Sequence, residues 1–384
     1  MNYLSLNFRL GILGGGQLGK MLLFEAQKLA ISTAVLDADS ESPCAQICKE
    51  FYQGDLLDFN TIYQFGKKVN LLTVEIENVN IDALIKLQAE GITILPKPEN
   101  LRIIQNKALQ KNFYHNNNIP TANFTSYESL QQLKQATYNK TLNFPFVWKA
   151  AKFGYDGNGV KIVNTYDDIN SLPSVACIAE KLISLKSELA VIVARNKNRE
   201  VKTYPVVEMK FHSEANQLEY IICPARIDDN IALKAKKIAL KVVESFNFVG
   251  LLAVEMFQTQ SDEILVNEVA PRTHNSGHYT VEASYTNQFE QHLRSILNLP
   301  LGSTNTKQTG VMLNLVGAEG YTGRALYQNI EEAFKAEGAT VHIYGKKTTK
   351  PFRKMGHITL INSSIDKALK IAQHIKAKVK IIAE

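Results

Sequence analysis

The chain has 384 residues, with 43 Lys and Arg against 37 Asp and Glu, a formal charge of +6 with its eight histidines taken as neutral. That length exceeds what one hydrophobic core supports, so two or three domains are expected. A composition of 45% apolar and 21% charged residues excludes a disordered or fibrous chain. No basic stripe interleaved with aromatics appears, so the positive charge points to anionic small molecules and not to nucleic acid. The four cysteines, Cys44, Cys48, Cys177 and Cys223, form no paired C-x-x-C units, and so few in a long chain read as reduced packing residues of a cytoplasmic protein. The first residues, MNYLSLNFRLGILGGG, show no export signal, and no apolar run approaches a membrane span.

Residues 8–39, FRLGILGGGQLGKMLLFEAQKLAISTAVLDAD, read as strand, glycine turn, amphipathic helix and second strand, the opening of a parallel α/β unit. NLLTVEIENV (70–79) adds an apolar strand ending in Glu75 and Glu77. A doubly wound sheet is implied, whose ligands sit outside the carboxyl ends of its strands, where the glycine turn and these glutamates fall. A helical stretch, NLRIIQNKALQKNFYHNNNI (100–119), follows Pro96-Lys97-Pro98. From Phe144 short strands take over: FPFVWKAA, GVKIVN, VACIAEKLI, ELAVIVARN and EVKTYPVVEM. An amphipathic helix, IALKAKKIALKVVESF, and a hairpin, GLLAVEMFQTQSDEILVNEVA (250–270), complete an α+β middle region. The turn-rich NLPLGSTNT leads into a small α/β tail. The expected domains are 1–100, 101–300 and 301–384.

Gly14, Gly16 and Gly19 match G-x-G-x-x-G between strand and helix, with Asp37 near the position of a ribose-binding acid. A nicotinamide site and a simple tight turn explain these glycines about equally. In the hairpin, a turn centred on Ser261-Asp262 sets Glu255 opposite Glu268. Like charges so placed destabilise a sheet unless a cation lies between them, and Mg²⁺ is typically held by one or two carboxylates plus phosphates. Glu255 interrupts the apolar run LLAVEMF, a poor place for an idle charge, so the metal reading is preferred to two solvated acids. KAAKFGYDGNGVKIV (149–163) joins two strands by a glycine-rich turn whose N–H groups suit phosphates, with Lys149 as a nearby point charge. It is no Walker A sequence, and alone it reads as a plain β-turn. EKLI (180–183) ends a strand where backbone groups suit an adenine edge, with Glu188 in reach of a ribose.

Taken together, GGGQLG, VEIEN, QNK, WKA, FGYDGNG, EKLI, the Glu255 hairpin, NEVAPRTHNSGH and FRKMGH run in the order of one family across nearly the whole chain. The sequence resembles the 5-(carboxyamino)imidazole ribonucleotide synthetases, ATP-grasp enzymes of purine biosynthesis. The resemblance implies an ATP-grasp fold behind a Rossmann-like pre-ATP-grasp domain that binds no nicotinamide. It implies ATP at Lys107, Lys149, Tyr155, Asp156, Gly157, Asn158, Gly159, Glu180, Lys181, Ile183, Glu188, His212, Asn267 and Glu268, with Mg²⁺ on Glu255 and Glu268. It sets aminoimidazole ribonucleotide against Gln17, Leu18, Glu75, Tyr155, Asp156 and Arg272, its phosphate facing Arg353 and Lys354. Arg272, His274, Asn275 and Ser276 are implied to line the bicarbonate and carboxyphosphate pocket. A homodimer is also implied. Two positions depart from the family pattern: Lys107 stands where arginine is common, losing a bidentate fork, and Asn158 replaces a basic residue, for which Lys161 is a candidate substitute.

VNEVAPRTHNSGHYT (266–280) bears three readings: a zinc site on His274 and His278, a Ser/His pair, or an anion cradle. Pro271 and Gly277 oppose a regular helix and no third zinc ligand is evident. A Ser/His pair needs an orienting group that the sequence does not name. The cradle fits best, Arg272 offering a planar fork and the histidine, amide and hydroxyl directional donors, with His278 structural. The implied reaction is phosphorylation of bicarbonate by ATP followed by carboxylation of the ribonucleotide amine. Its rivals are a formate-using ligase acting on glycinamide ribonucleotide, a nicotinamide oxidoreductase, and a non-catalytic nucleotide sensor.

Overall fold

The computed structural model describes residues 3, 5, 7–152, 159–212 and 217–384. The strands, in chain order, are β1 (Arg9–Leu13), β2 (Ser32–Asp37), β3 (Glu50–Gln53), β4 (Leu71–Val74), β5 (Thr93–Ile94), β6 (Phe124–Tyr127), β7 (Phe146–Ala150), β8 (Val160–Val163), β9 (Cys177–Lys181), β10 (Leu185–Arg195) and β11 (Val201–Thr203). They continue as β12 (Val207–Phe211), β13 (Leu218–Cys223), β14 (Gly250–Thr259), β15 (Ile264–Ala270), β16 (Thr309–Val316), β17 (Gly323–Gln328), β18 (Ala339–Ile343), β19 (Thr348–Thr349), β20 (Lys354–Asn362) and β21 (Lys380–Ala383).

The first five strands form a parallel sheet in the order β3-β2-β1-β4-β5. Leu10, Ile12, Leu71 and Leu72 in its two central strands have no exposure, as expected of a parallel sheet covered on both faces. The turn after β1 feeds helix α1 (Gln17–Lys28), and the glycines there make room for Glu75 at the end of β4. A Cβ on Gly16 would lie 2.4 Å from Glu75 Oε1, and one on Gly14, at φ +104°, would lie 2.7 Å from Oε2. Glu75 Oε1 accepts a hydrogen bond from the Leu18 amide at 3.1 Å. Its carboxylate thus fills the anion position at the N-terminus of α1 that a dinucleotide pyrophosphate would use. Asp37 is equally engaged, accepting from the Gly15 amide at 2.6 Å and the Asp39 amide at 2.8 Å. Tight packing around an acid therefore accounts for the glycine fingerprint, and the nicotinamide reading loses its support.

The helical stretch 100–119 is broken. One helix runs Pro98–Ile104 and a second Lys107–Asn116, because the Asn106 side chain caps the second by accepting from the Ala108 and Leu109 amides. Beyond it, β6-β9-β7-β8 form a small antiparallel sheet. A larger sheet runs β15-β14-β10-β12-β13-β16-β20-β18, with β11 on β10. Strands β16, β18 and β20 from the tail thus extend the middle region's sheet, pairing to it through β13. The predicted strand 200–209 divides into β11 and β12 around Tyr204-Pro205.

Helix α1 joins the first sheet to the rest. Its Leu18, Met21 and Leu22 share a buried cluster with Phe289, Leu293 and Ile296 of the helix Gln288–Ile296, and each such side chain contributes roughly 1.5–3 kcal/mol. Thr73 Oγ1 meets His292 Nε2 at 2.8 Å across the same contact. The carboxyl ends of β1 and β4 are thereby fixed facing the hairpin β14–β15. All four cysteines are buried and free, and among the described residues no helix is long and apolar enough to cross a membrane.

The crowding around Glu75 separates two glycines of similar backbone. Gly91 has φ +93° and nothing within 4 Å of an added Cβ. In urea titration Gly91→Ala is expected to lose about 1 kcal/mol from backbone strain, whereas Gly14→Ala should lose roughly 1–3 kcal/mol more through overpacking. Equal losses would show that Glu75 does not define the turn.

Candidate active site

The hairpin β14–β15 pairs Gln258 with Ile264, Phe257 with Leu265 and Met256 with Val266, a register centred on Ser261. Continued regularly, it would set Glu255 against Asn267. A β-bulge at Asn267 shifts the pairing by one residue, and Glu255 lies opposite Glu268 after all. The two acids share a face at the mouth of a cleft of about 590 Å³. Burial, and next the Glu268 charge, raises the Glu255 pKa. Burial acts on Glu268 in the same sense, but the charges of Lys107 and Lys149 outweigh it and hold that carboxyl low. Lys107, the first residue of its helix, forms an ion pair with Glu268 Oε2. His274 Nε2 lies 3.4 Å from Glu255 Oε1.

A pair of opposed carboxylates with one cation already on the outer acid suits an oxygen-seeking divalent ion. Among the described residues no group of three or more His, Cys, Asp or Glu side chains is arranged to hold a metal. A cation between Glu255 and Glu268 would complete its shell from phosphate or water oxygens, the usual condition of Mg²⁺.

Behind this pair, Lys149 on β7 donates to Asn267 Oδ1 at 2.8 Å and contacts Glu180 Oε2 on β9 at 2.8 Å. The bulge therefore also turns the Asn267 amide toward Lys149. Glu180 is 2% exposed and takes a second lysine, Lys111, at 2.8 Å. Glu188 on β10 is half-buried, and burial pushes its carboxyl up to about 7 against the pull of Lys149. Lys181 is exposed at the end of β9, and Ile183 is half-buried just beyond it. His212 follows β12, its ring centroid 6.0 Å from that of Phe352. This second group, from Lys149 to His212, does not line the cleft.

Strand β15 runs into the loop carrying Arg272. Its guanidinium grips a carboxylate of the first sheet, Nε donating to Glu77 Oε2 at 2.6 Å and Nη2 to Oε1 at 3.3 Å. Burial alone would raise the Glu77 pKa, but the Arg272 charge and hydrogen bond bring it below the ordinary carboxylate range. Asn275 exchanges amide hydrogen bonds with Asn314 at 3.0 and 3.2 Å. Ser276 Oγ lies 2.9 Å from His274 Nδ1. With Glu255 at the other ring nitrogen, the Ser/His pair does have a third group, which the sequence did not name. Ser276 has no exposure, however, and cannot present Oγ to a substrate. His278 is buried at the wall of the same cleft, stacked on His357 at 4.5 Å and bonded through Nδ1 to Gln288 at 3.1 Å. The zinc reading has no support, because among the described residues no group of three or more His, Cys, Asp or Glu side chains is arranged to hold a metal.

The opposite wall of the cleft holds Gln17, Leu18 and Glu75, with Arg353 and Lys354 closing one side. Arg353 Nη1 donates to the Thr348 carbonyl and hydroxyl, both at 2.8 Å. Gly159, at φ +78°, leads into β8 and accepts from the Ala150 amide at 2.9 Å. Tyr155, Asp156, Gly157 and Asn158 lie outside the described residues. The Lys161 ammonium meets Ser171 Oγ at 2.6 Å and Asp168 at 3.8 Å, and Lys161 does not line the cleft.

Two charged residues, Lys346 and Lys111, were missed, and Glu77 was placed at the ligand edge of the first sheet with no partner named. Lys346 lines the cleft beside Arg353; KKTTKPFRK held the signal as a basic run, but nothing ranked its members. Lys111 had no visible signal, since its partner lies 69 residues away.

Comparison with known proteins places these elements in one lineage. The ribonucleotide synthetase preATP-grasp domain matches residues 8–105, the ATP-grasp domain 112–289, and the phosphoribosylaminoimidazole carboxylase C-terminal domain 310–371. The N5-carboxyaminoimidazole ribonucleotide synthase of Bacillus subtilis is 38% identical over 362 residues, covering 93% of this chain and 92% of the relative. The phosphoribosylaminoimidazole carboxylase of Saccharomyces cerevisiae is 38% identical over 368 residues, but this chain spans only 64% of its length. The crystal structure of N5-carboxyaminoimidazole ribonucleotide synthetase from Thermotoga maritima superposes with a TM-score of 0.89 at 40% identity, covering 98% of this chain and all of that one. The Aspergillus clavatus N5-carboxyaminoimidazole synthase, solved with ADP and 5-aminoimidazole ribonucleotide, gives 0.88 at 35% identity, covering 96% and 98%.

The raised pKa of Glu255 has a stability consequence. A carboxyl whose folded pKa exceeds its unfolded value contributes fully below the unfolded value, and that contribution is lost as pH rises through the folded one. Glu255→Gln should therefore raise the melting temperature of the ligand-free protein by roughly 2–4 °C at pH 9 and by little at pH 5. A lower melting temperature at both pH values would mean that the acid pair is not strained.

Proposed function

Because the chain belongs to the N5-carboxyaminoimidazole ribonucleotide synthase family, we propose that it carboxylates 5-aminoimidazole ribonucleotide with bicarbonate in an ATP-driven reaction, yielding the N5-carboxy product, ADP and phosphate. The observation that carries this reading is the single cleft in which the opposed acids Glu255 and Glu268 face the α1 turn and the basic group Lys346, Arg353 and Lys354. One end suits a metal-bound triphosphate and the other a sugar phosphate, with the Arg272 loop between them.

In this reading the adenine lies along the strand end Glu180–Ile183, its ribose at Glu188, with His212 nearby. Lys107 and Lys149 attract the phosphates, with Tyr155, Asp156, Gly157, Asn158 and Gly159 as further nucleotide-binding residues. Mg²⁺, held by Glu255 and Glu268 beside Asn267, would neutralise charge on the transferring phosphoryl group. Phosphoryl transfer asks the protein mainly for alignment and charge compensation, which these lysines supply. A bicarbonate oxygen attacks the γ-phosphorus as the bond to ADP breaks, giving carboxyphosphate. Arg272 and the Asn275 amide hold that anion. The amine nitrogen of the ribonucleotide, placed by Gln17, Leu18, Glu75, Tyr155 and Asp156, then bonds to the carboxyl carbon as phosphate departs. The amine proton leaves in this step with the departing phosphate, because His274 Nδ1 accepts from the Ser276 amide at 3.3 Å and its protonated Nε2 faces Glu255.

The proposal includes a division at 1–100, 101–300 and 301–384, a cytoplasmic setting consistent with four unpaired buried cysteines, and a homodimer as implied by family likeness.

Phosphate release measured with ATP, Mg²⁺ and bicarbonate should depend on added 5-aminoimidazole ribonucleotide. Release that requires formate and ignores bicarbonate would replace this reading with the glycinamide-ribonucleotide ligase; tight ATP binding without release would leave a sensor. Glu268→Gln should lose at least a hundredfold in turnover with its circular dichroism unchanged, and should also lose any rise in melting temperature on adding MgATP. Undiminished turnover would refute the metal role.

A further inference from the structure

Lys111 lies one helical turn beyond Lys107 in the helix Lys107–Asn116, and the cleft wall does not include it. It is 2% exposed. Its ammonium contacts Glu180 Oε1 at 2.8 Å and donates to Thr121 Oγ1 at 2.7 Å, with the Val266 carbonyl at 3.5 Å. The second oxygen of Glu180 takes Lys149 at 2.8 Å, and Lys149 continues to Asn267 Oδ1 at the bulge, also at 2.8 Å. Charges this deeply buried persist when paired. One lysine would have sufficed for Glu180, yet the fold supplies two.

The second cation changes the charge available for binding. Glu180 between two ammonium groups leaves a net charge of +1, whereas Glu180 with Lys149 alone would be neutral and would hold Lys149 as its sole counter-ion. The neighbouring pair of Lys107 and Glu268 is itself neutral. Lys111 also fixes the carboxylate from behind, and so sets the point at which Lys149 stands beside the acid pair.

We propose that Lys111 is a positioning residue for the nucleotide: by occupying one oxygen of Glu180 it leaves Lys149 with uncompensated positive charge directed at the phosphates of ATP. The inference rests on the ATP-dependent reading of the site. Removing that charge several ångströms from a triphosphate weakens binding by about tenfold at the effective dielectric of a protein site. The role is expressed in nucleotide affinity and not in the ribonucleotide half of the reaction.

The charged and titratable groups facing Lys111 are Glu180 and Lys149 from the small sheet, and Lys107 and the Tyr114 ring from its own helix. Burial lowers the Lys111 ammonium to about 8, with Glu180 pulling it back up. As pH rises from 7 to 9 Lys111 loses its proton, and affinity for MgATP should fall. Glu255 ionises over a similar range but strengthens binding of the magnesium complex, so it acts in the opposite direction.

MgATP binding to the full chain, followed by calorimetry across this range, provides the test. The wild type should weaken relative to Lys111→Met as pH rises. Lys111→Met should bind about tenfold more weakly at pH 7, show no comparable weakening toward pH 9, and raise the KM for ATP without raising that for 5-aminoimidazole ribonucleotide. The Glu255 contribution is common to both proteins, so the difference decides: equal MgATP affinity of folded variant and wild type at pH 7 would overturn the inference, as would an equal change in their affinities between pH 7 and 9, and Lys111→Gln is measured in the same way should Lys111→Met prove unstable. Failure of the wild type to bind MgATP at any pH would instead overturn the ATP-dependent reading, and this inference with it.

Discussion

The bulge at Asn267 is the constraint on which the site depends. An uninterrupted hairpin would set Glu255 against Asn267 and turn Glu268 to the other face of the sheet, since a one-residue slip reverses every side chain beyond it. The extra residue restores the acid pair and spends its own amide on Lys149. Opposed carboxylates are unfavourable on a sheet surface; the shifts of Glu255 upward and Glu268 downward are the electrostatic mark of that strain. Lys107 relieves one of the two acids and leaves the other as the more strained partner.

The rest of the fold brings distant surfaces to that pair. The first sheet directs the carboxyl ends of its central strands at the hairpin, held there by the apolar contact between α1 and the helix Gln288–Ile296. Open parallel sheets bind ligands at this edge, but here Glu75 lies over the helix N-terminus. The first sheet therefore supplies a carboxylate and side chains to a shared cleft and has no dinucleotide site of its own. Strands β16, β18 and β20 bring the basic residues of the tail to the same cleft by extending the larger sheet.

Much of this was legible in the chain. The parallel unit, the hairpin and the long helix at 229–245 have strong local patterns, and a glutamate interrupting an apolar run marked the acid pair. What was not legible depends on non-local geometry. Asn106 breaks a continuous apolar period by capping, and the bulge needs Lys149, more than a hundred residues earlier. Pairing of the tail with β13 leaves no trace in either segment's composition. Lys111 looked like one more lysine on a basic helix, because its meaning lies in Glu180. The glycine fingerprint misled for a related reason: the same crowded turn suits a pyrophosphate or a carboxylate, and only the position of Glu75 distinguishes them.

The grip of Arg272 on Glu77 has one more implication. The arginine follows the last strand of the hairpin, whereas its acid follows a strand of the parallel sheet. A slide of about an ångström between those two bodies would loosen both hydrogen bonds together, because a planar fork tolerates little misalignment. The pair thus acts as a gauge of registry between them, and the guanidinium is correctly aimed only while both halves of the molecule are seated.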